Sequence, residues 1–243
     1  MLAFLALIII LVIALLYWLL MSSYSQLFGY FPYKIKTNKK VIALTFDDGP
    51  NDPYTSELLD YLKQKKLRAT FFLVGKNIKK YPSTVQRIVN EGHLIANHSY
   101  SHSFFNYFKS LSFKKEIESN QELIFKQTGL RPALYRPPWL FRTPFILKTL
   151  KSNFLTPVSG IFCNSFEVLR ISPEKITKSA LSHSKPGSII IFHDGIEGKG
   201  GDRNNTIQAT KLLIDQLLAK NYKFVTVAEL LEIKPYQSLP PKS

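Results

Sequence analysis

The stretch Val41-Ile42-Ala43-Leu44-Thr45-Phe46-Asp47-Asp48-Gly49-Pro50 decides how the chain is read. Its first six residues form an apolar run of the length expected for a buried strand. Gly49-Pro50 then turns the chain into a loop. Downstream, Leu58, Leu59 and Leu62 recur at helical spacing within 56–67, and 69–74 is a second apolar strand. The spacing predicts a helix over 85–92 with a glycine stop, then a strand over 93–96. A helix over 113–128 is closed by Gly129, and Leu134-Tyr135-Arg136 is a short strand ended by Pro137-Pro138. Residues 188–192 form a β-branched and aromatic run, hence a buried strand; 205–220 reads as a helix and 223–227 as a last strand. Strands alternating with helices imply parallel pairing through helical crossovers, an α/β fold.

Upstream of this region, Leu2–Met21 carries no charge and is almost wholly aliphatic. About 20 apolar residues suffice to cross a bilayer, and Tyr17 and Trp18 suit the interfacial aromatic belt. A core helix would show a polar face, which this run lacks. An uncleaved anchor and a cleaved signal segment both fit. Ser23 and Ser25 offer small residues for cleavage, whereas the length of the run and the absence of a preceding basic residue favour the anchor. Lys34, Lys36, Lys39 and Lys40 follow the span, so the positive-inside rule would keep the C-terminal side cytoplasmic. The boundaries expected are 1–21 for the anchor or signal, 22–38 for a linker, 39–234 for one α/β domain and 235–243 for a loose tail.

The 243 residues include 32 basic and 17 acidic side chains, a formal charge of +15. Such a field favours anionic partners. Nucleic acid is not expected, because no recognition helix, zinc finger or RNA-binding motif accompanies the charge. The lysines fall in scattered pairs, such as Lys65-Lys66 and Lys114-Lys115, as on a solvated surface near an anionic membrane. The single cysteine, Cys163, excludes an intrachain disulfide.

The chemically active residues follow the C-terminal ends of four strands: Asp47 and Asp48, His98 and His102, Arg136, then His193 and Asp194. In parallel α/β barrels catalytic side chains gather on that face. Each signal alone has an ordinary reading: a turn aspartate, a solvated histidine pair, a surface ion pair or a near-core histidine. Together they supply metal ligands, a spare carboxylate, a spare imidazole and a guanidinium, the inventory of metal-assisted hydrolysis. The four-residue spacing of His98 and His102 lets both imidazoles face one cation.

These motifs resemble the NodB-type polysaccharide deacetylases, carbohydrate esterase family 4. Thr45-Phe46-Asp47-Asp48-Gly49-Pro50 is similar to the family's first motif, and 92–102, ending in Asn97-His98-Ser99-Tyr100-Ser101-His102, to its second. Arg136-Pro137-Pro138-Trp139 resembles the third motif and Ile191-Phe192-His193-Asp194-Gly195 the last. The likeness runs from about 40 to 231. It implies a distorted (β/α) barrel of seven strands, a NodB homology domain, that removes N-acetyl groups from amino-sugar polysaccharides or oligosaccharides. It further implies that Asp48, His98 and His102 bind a divalent metal, usually zinc. By the same resemblance Asp47 is the base, His193 the acid, and Arg136 holds Asp47. The backbone N–H of Trp139 would help bind the oxyanion, and Ile191 would line the acetyl pocket. A membrane-anchored enzyme with an extracytoplasmic catalytic domain and an N-acetylated glycan substrate is expected.

The fourth motif departs from the pattern. The corresponding stretch, 159–167, lacks the family's aspartate, leaving Glu167 or Asp194 to tune His193. That departure keeps open a catalytically weakened glycan-binding or assembly protein on the same fold. A metal-dependent amidase for a non-sugar substrate is a third reading.

Overall fold

The computed structural model describes residues 1–162, 171–197 and 201–238. After helix α1 (Leu2–Met21), strand β1 (Val41–Asp47) opens the α/β region. Next come α2 (Tyr54–Gln64), β2 (Thr70–Leu73), α3 (Gly75–Lys80), α4 (Pro82–Asn90) and β3 (Leu94–Asn97). A 3-10 turn, η1 (Phe104–Phe108), leads into α5 (Ser110–Thr128) and β4 (Leu134–Tyr135). The second half comprises η2 (Pro138–Leu140), α6 (Pro144–Ser152), β5 (Thr156–Pro157), β6 (Ile161–Phe162), α7 (Pro173–His183) and β7 (Ile189–His193). It closes with α8 (Asn204–Ala219), β8 (Lys223–Phe224) and α9 (Val227–Leu231).

Seven strands lie along one parallel path in the order β5-β4-β3-β2-β1-β7-β6, and short β8 pairs with the start of β1. This curled parallel sheet with its helices is the distorted barrel anticipated above. Successive side chains of β1 point to opposite sides. Ile42, Leu44 and Phe46 join the large cluster that includes Leu58 of α2 and Leu213 of α8. Ala43 packs inward with Phe72, Ala96 and Leu134. Thr45 and Asp47 share that inward face and replace hydrocarbon with polar groups toward the strand ends.

The register brings the chemistry together. Asp47 is paired with His193 across β1 and β7 and with Phe72 across β2. Asn97 is paired with Tyr135 across β3 and β4. The residues that follow these pairs therefore leave the sheet on one face, from neighbouring strands.

Several details differ from the expected pattern. The last strand ends at Phe224 rather than 227, because Thr226 and Glu229 form a reciprocal capping box that starts α9. The segment 22–38, read as a linker, packs on the domain. Phe31 is fully buried, the Ile35 N–H donates to Gly187 O, and the Ser159 N–H donates to Pro32 O. The described part of the tail is also held, since the Ala133 N–H donates to Pro235 O and the Gln237 N–H to Arg131 O.

Candidate active site and metal centre

Asp48 follows β1 in the left-handed region, at φ 71°, and this turn aims its carboxylate at the loop after β3. His102 at φ 55° and Ser99 at φ 65° are also left-handed. Such backbone costs about 1–3 kcal/mol per residue and persists where its surroundings over-determine it. Here they do. Glu116 of α5 accepts from the N–H groups of Tyr100 and Ser101 at 3.1 and 2.7 Å. The Ser99 N–H donates to Asn97 Oδ1 at 2.9 Å, and Asn120 Nδ2 donates to the same oxygen at 2.9 Å.

The loop presents two imidazoles to one carboxylate oxygen. His102 Nε2 lies 3.1 Å and His98 Nε2 3.4 Å from Asp48 Oδ1. His98 Nδ1 is 2.7 Å from the Arg136 carbonyl oxygen. A carbonyl can only accept, so Nδ1 carries the proton and Nε2 turns its lone pair to the site. Asp48 Oδ2 accepts from the Glu197 N–H at 2.9 Å, whereas buried Oδ1 has no hydrogen-bond donor. Burial acts to raise the Asp48 pKa, but the charge and hydrogen bonding of His102 and His98, whenever these rings are protonated, outweigh it and hold the carboxyl well below the usual range. Ligand atoms around tetrahedral zinc stand about 3.3 Å apart. The buried oxygen without a donor and the two imidazole nitrogens at this spacing therefore fit one divalent cation.

Asp47 stands beside this triad in a different role. Its Oδ1 accepts from Arg136 Nη1 at 2.6 Å, while Oδ2 lies 4.0 Å from His98 Nε2. Arg136 is fully buried: it also donates to Thr45 Oγ1 at 2.7 Å and to the carbonyls of Val158 and Ser159, and it stacks on Phe72. Burial lowers its pKa, and Asp47 counteracts that. One aspartate thus faces two imidazoles and the other is pinned by a guanidinium with one oxygen left toward the cleft.

The cleft holds about 330 Å³. Asp47, Asp48, His98, His102, Trp139 and His193 all line it. The His193 ring stacks on Phe162 at 5.7 Å with 8° between planes. Trp139, left-handed at φ 55°, lays its indole against His102 with ring centres 4.4 Å apart. Ile191 packs with Phe31, Leu140 and Phe162, of which Leu140 and Phe162 line the cleft. Asp194 accepts from Thr55 Oγ1 at 2.5 Å. Its carboxylate fills the space that a Cβ on Gly49 would need. Burial, with the Asp48 and Asp47 charges adding to it, raises the Asp194 carboxyl to about 7. Glu167 lies outside the described residues.

Several contributors carried no sequence signal. Glu116 sits on a helix whose apolar spacing says nothing of a loop 15 residues away. The carbonyls of Val158 and Ser159 have no side-chain signature. Tyr17 and Met21 line the cleft although composition marks them only as membrane residues.

A curled parallel sheet with an Asp-His-His cation site and a second, arginine-held aspartate at its strand ends defines a class, the α/β-barrel deacetylases. The family model described as polysaccharide deacetylase matches residues 34–158. A peptidoglycan-N-acetylglucosamine deacetylase of Bacillus cereus is 32% identical over 207 residues, covering 85% of this chain and 95% of that protein. The peptidoglycan-N-acetylmuramic acid deacetylase of Bacillus subtilis is 33% identical over 200 residues, 82% of this chain but 40% of that longer protein. The crystal structure of a peptidoglycan N-acetylglucosamine deacetylase in complex with 4-naphthalen-1-yl-N-oxidanyl-benzamide superimposes with a TM-score of 0.77 at 33% identity, covering 85% of this chain and 93% of that one. The chain belongs to the polysaccharide deacetylase family, and it is an enzyme of that family.

Proposed function

We propose that this enzyme hydrolyses the N-acetyl group of amino sugars in a peptidoglycan-type glycan, with a divalent cation, zinc by preference, held by Asp48, His98 and His102. One observation carries the reading. The three ligand atoms converge on one point beside Asp47, and His193 reaches the same cleft from β7. Two imidazoles and a carboxylate form a donor set that suits zinc.

A divalent cation held by Asp48, His98 and His102 would supply Lewis acidity for the acetyl carbonyl and would make water acidic enough to lose a proton near neutral pH. Asp47 Oδ2 accepts that proton as the water oxygen attacks the carbonyl carbon. Arg136 keeps Oδ1 engaged and so fixes which oxygen works. The Trp139 N–H donates to the developing oxyanion, a contribution worth a few kcal/mol in such sites. An amine leaves only when protonated, so His193 delivers a proton to the sugar nitrogen as the C–N bond breaks. Acetate and a free amino sugar result. Ile191 closes the floor under the acetyl methyl, and Asp194, with Glu167, is the candidate for tuning His193.

Residues 39–234 form the catalytic unit, 22–38 connects it to the anchor at 1–21, and 235–243 is the tail. The relatives' named substrate, peptidoglycan, is an extracytoplasmic polymer, which supports an outward-facing domain.

The test is acetate release from N-acetylated chito-oligosaccharides and from peptidoglycan by the purified full chain, before and after chelation. Activity that disappears on chelation and returns with zinc supports the reading. Full activity in a metal-free preparation sinks it.

A further inference from the structure

Helix α1 has none of its residues buried by the rest of the protein, yet its last turns are built into the catalytic face. Tyr17 and Met21, one turn apart, line the same cleft as His102 and His193. Leu20 and Met21 pack on the aromatic cluster of Tyr107, Phe113 and Phe141. Arg142, 1% exposed, fastens the joint: its N–H donates to Leu20 O at 2.9 Å, and its guanidinium donates to the carbonyls of Ser25, at 2.6 Å, and Ser22. Ser159 Oγ donates to Ser23 O at 2.9 Å, while the Ser159 carbonyl accepts from Arg136 at 2.8 Å. The end of the helix is therefore two hydrogen bonds from the guanidinium that holds Asp47.

This joint argues against cleavage at Ser23 or Ser25. Both residues are buried, and cleavage after Ser25 would strip the Ser22 and Ser25 carbonyls from the buried Arg142 guanidinium. It also fixes the height of the cleft. Twenty helical residues span about 30 Å, the thickness of the hydrocarbon core. Met21 then lies at the bilayer edge, and the cleft opens beside it.

The rim near this edge is apolar. Phe105, Phe108 and Leu111 are 80%, 67% and 82% exposed. They belong to η1 and the start of α5, and Phe104 of the same turn packs on Trp139 and Phe141. Exposed Lys109, Lys114 and Lys115 interleave with them. Bare aromatic and aliphatic side chains beside lysines suit an interface of acyl chains and anionic headgroups. The rim is continuous with the membrane helix through a shared aromatic cluster.

We propose that α1 is a retained wall of the active site, that the η1 rim lies in the bilayer surface, and that the enzyme deacetylates a lipid-linked glycan presented there. The inference rests on the deacetylase reading and names its substrate class. A sugar chain tethered to a lipid headgroup brings its first residues to the height of the cleft, and the bilayer blocks a bulky polymer on that side.

The test uses the full chain in vesicles of phosphatidylethanolamine and phosphatidylglycerol. One substrate is di-N-acetylchitobiose linked to a polyprenyl diphosphate in the same vesicles, and the other is water-soluble penta-N-acetylchitopentaose. The expected kcat/KM is about tenfold higher for the vesicle-borne substrate, and the triple variant Phe105→Ser, Phe108→Ser, Leu111→Ser abolishes that advantage while leaving the soluble substrate within about twofold. Equal efficiency on both substrates, unchanged in the variant, overturns the proposal while leaving the deacetylase reading intact. An activity-independent arm reads Trp139 fluorescence in a Trp18→Phe variant with lipids brominated near the headgroup. Quenching supports the placement, and unquenched emission overturns it.

Discussion

At the residue scale, the adjacent carboxylates Asp47 and Asp48 are chemically identical and differ only in what touches them. Asp48 Oδ1 faces two imidazole nitrogens, and Asp47 Oδ1 faces a guanidinium. Their substitutions should therefore separate. Asp48→Ala is expected to lose both bound metal and turnover. Asp47→Asn keeps the hydrogen bond from Arg136 and leaves the triad alone, so metal content should stay near one equivalent while kcat falls about 10²–10⁴-fold. Metal analysis beside acetate assays decides this, and loss of metal from Asp47→Asn would contradict the division of labour. The adjacent pair was conspicuous in the sequence. Which oxygen meets which partner was not, because Arg136 and Thr45 are 91 positions apart and meet only through the sheet.

At the element scale, α5 stabilises the loop that carries both histidines. Its Glu116 gathers two backbone N–H groups and the Ser101 hydroxyl. Glu116→Ala should loosen the loop and weaken metal affinity by about 10–100-fold, the usual cost of losing support behind the ligands. Competition with a chromogenic chelator measures it. A second element has a local origin. The Thr226–Glu229 capping box starts α9 at Val227, so Thr226→Ala should cost about 1 kcal/mol in a denaturant titration, with no change in metal binding. That box was written in the sequence as a threonine followed three residues later by a glutamate. A strand reading through 227 overlooked it, because the apolar Val225 and Val227 fit a strand equally well.

For the whole molecule, stability should depend on pH through two buried groups, His93 away from the cleft and Asp194 beside it. His93 accepts from the Ala69 N–H through Nδ1, and its burial, with help from Arg87 and Arg68 against Glu91, lowers its pKa from 6.5 to about 4. The unfolded chain binds this proton first as pH falls. The His93 contribution is therefore intact above about 6.5 and is lost as pH drops to about 4, a change of roughly 3 kcal/mol. Asp194, raised to about 7, works in the opposite sense: its contribution is intact below about 4 and declines as pH rises to about 7. The two slopes oppose each other in the unmodified protein. The difference between it and His93→Phe isolates the histidine, and that difference should grow from pH 4 to 6.5 in urea titrations of chelated protein. A pH-independent difference would show that His93 titrates alike in both states.

The sequence by itself determined the alternation of strands and helices, the apolar span at the N-terminus and the Asp-His-His cluster that could hold a metal ion. All of these are local: a strand's burial is visible in its own side chains, and a two-histidine loop lies within five positions. Tertiary structure alone decided how the parts bear on one another. The in-register ends of β1 and β7 set Asp47 against His193, although nearly 150 residues separate them. The joint at Arg142 brought the apolar N-terminal helix to the edge of the cleft, and the packing of 22–38 on the domain appeared only once Phe31 was enclosed. Such relations depend on distances through space between segments remote in the chain, and no window of residues contains them.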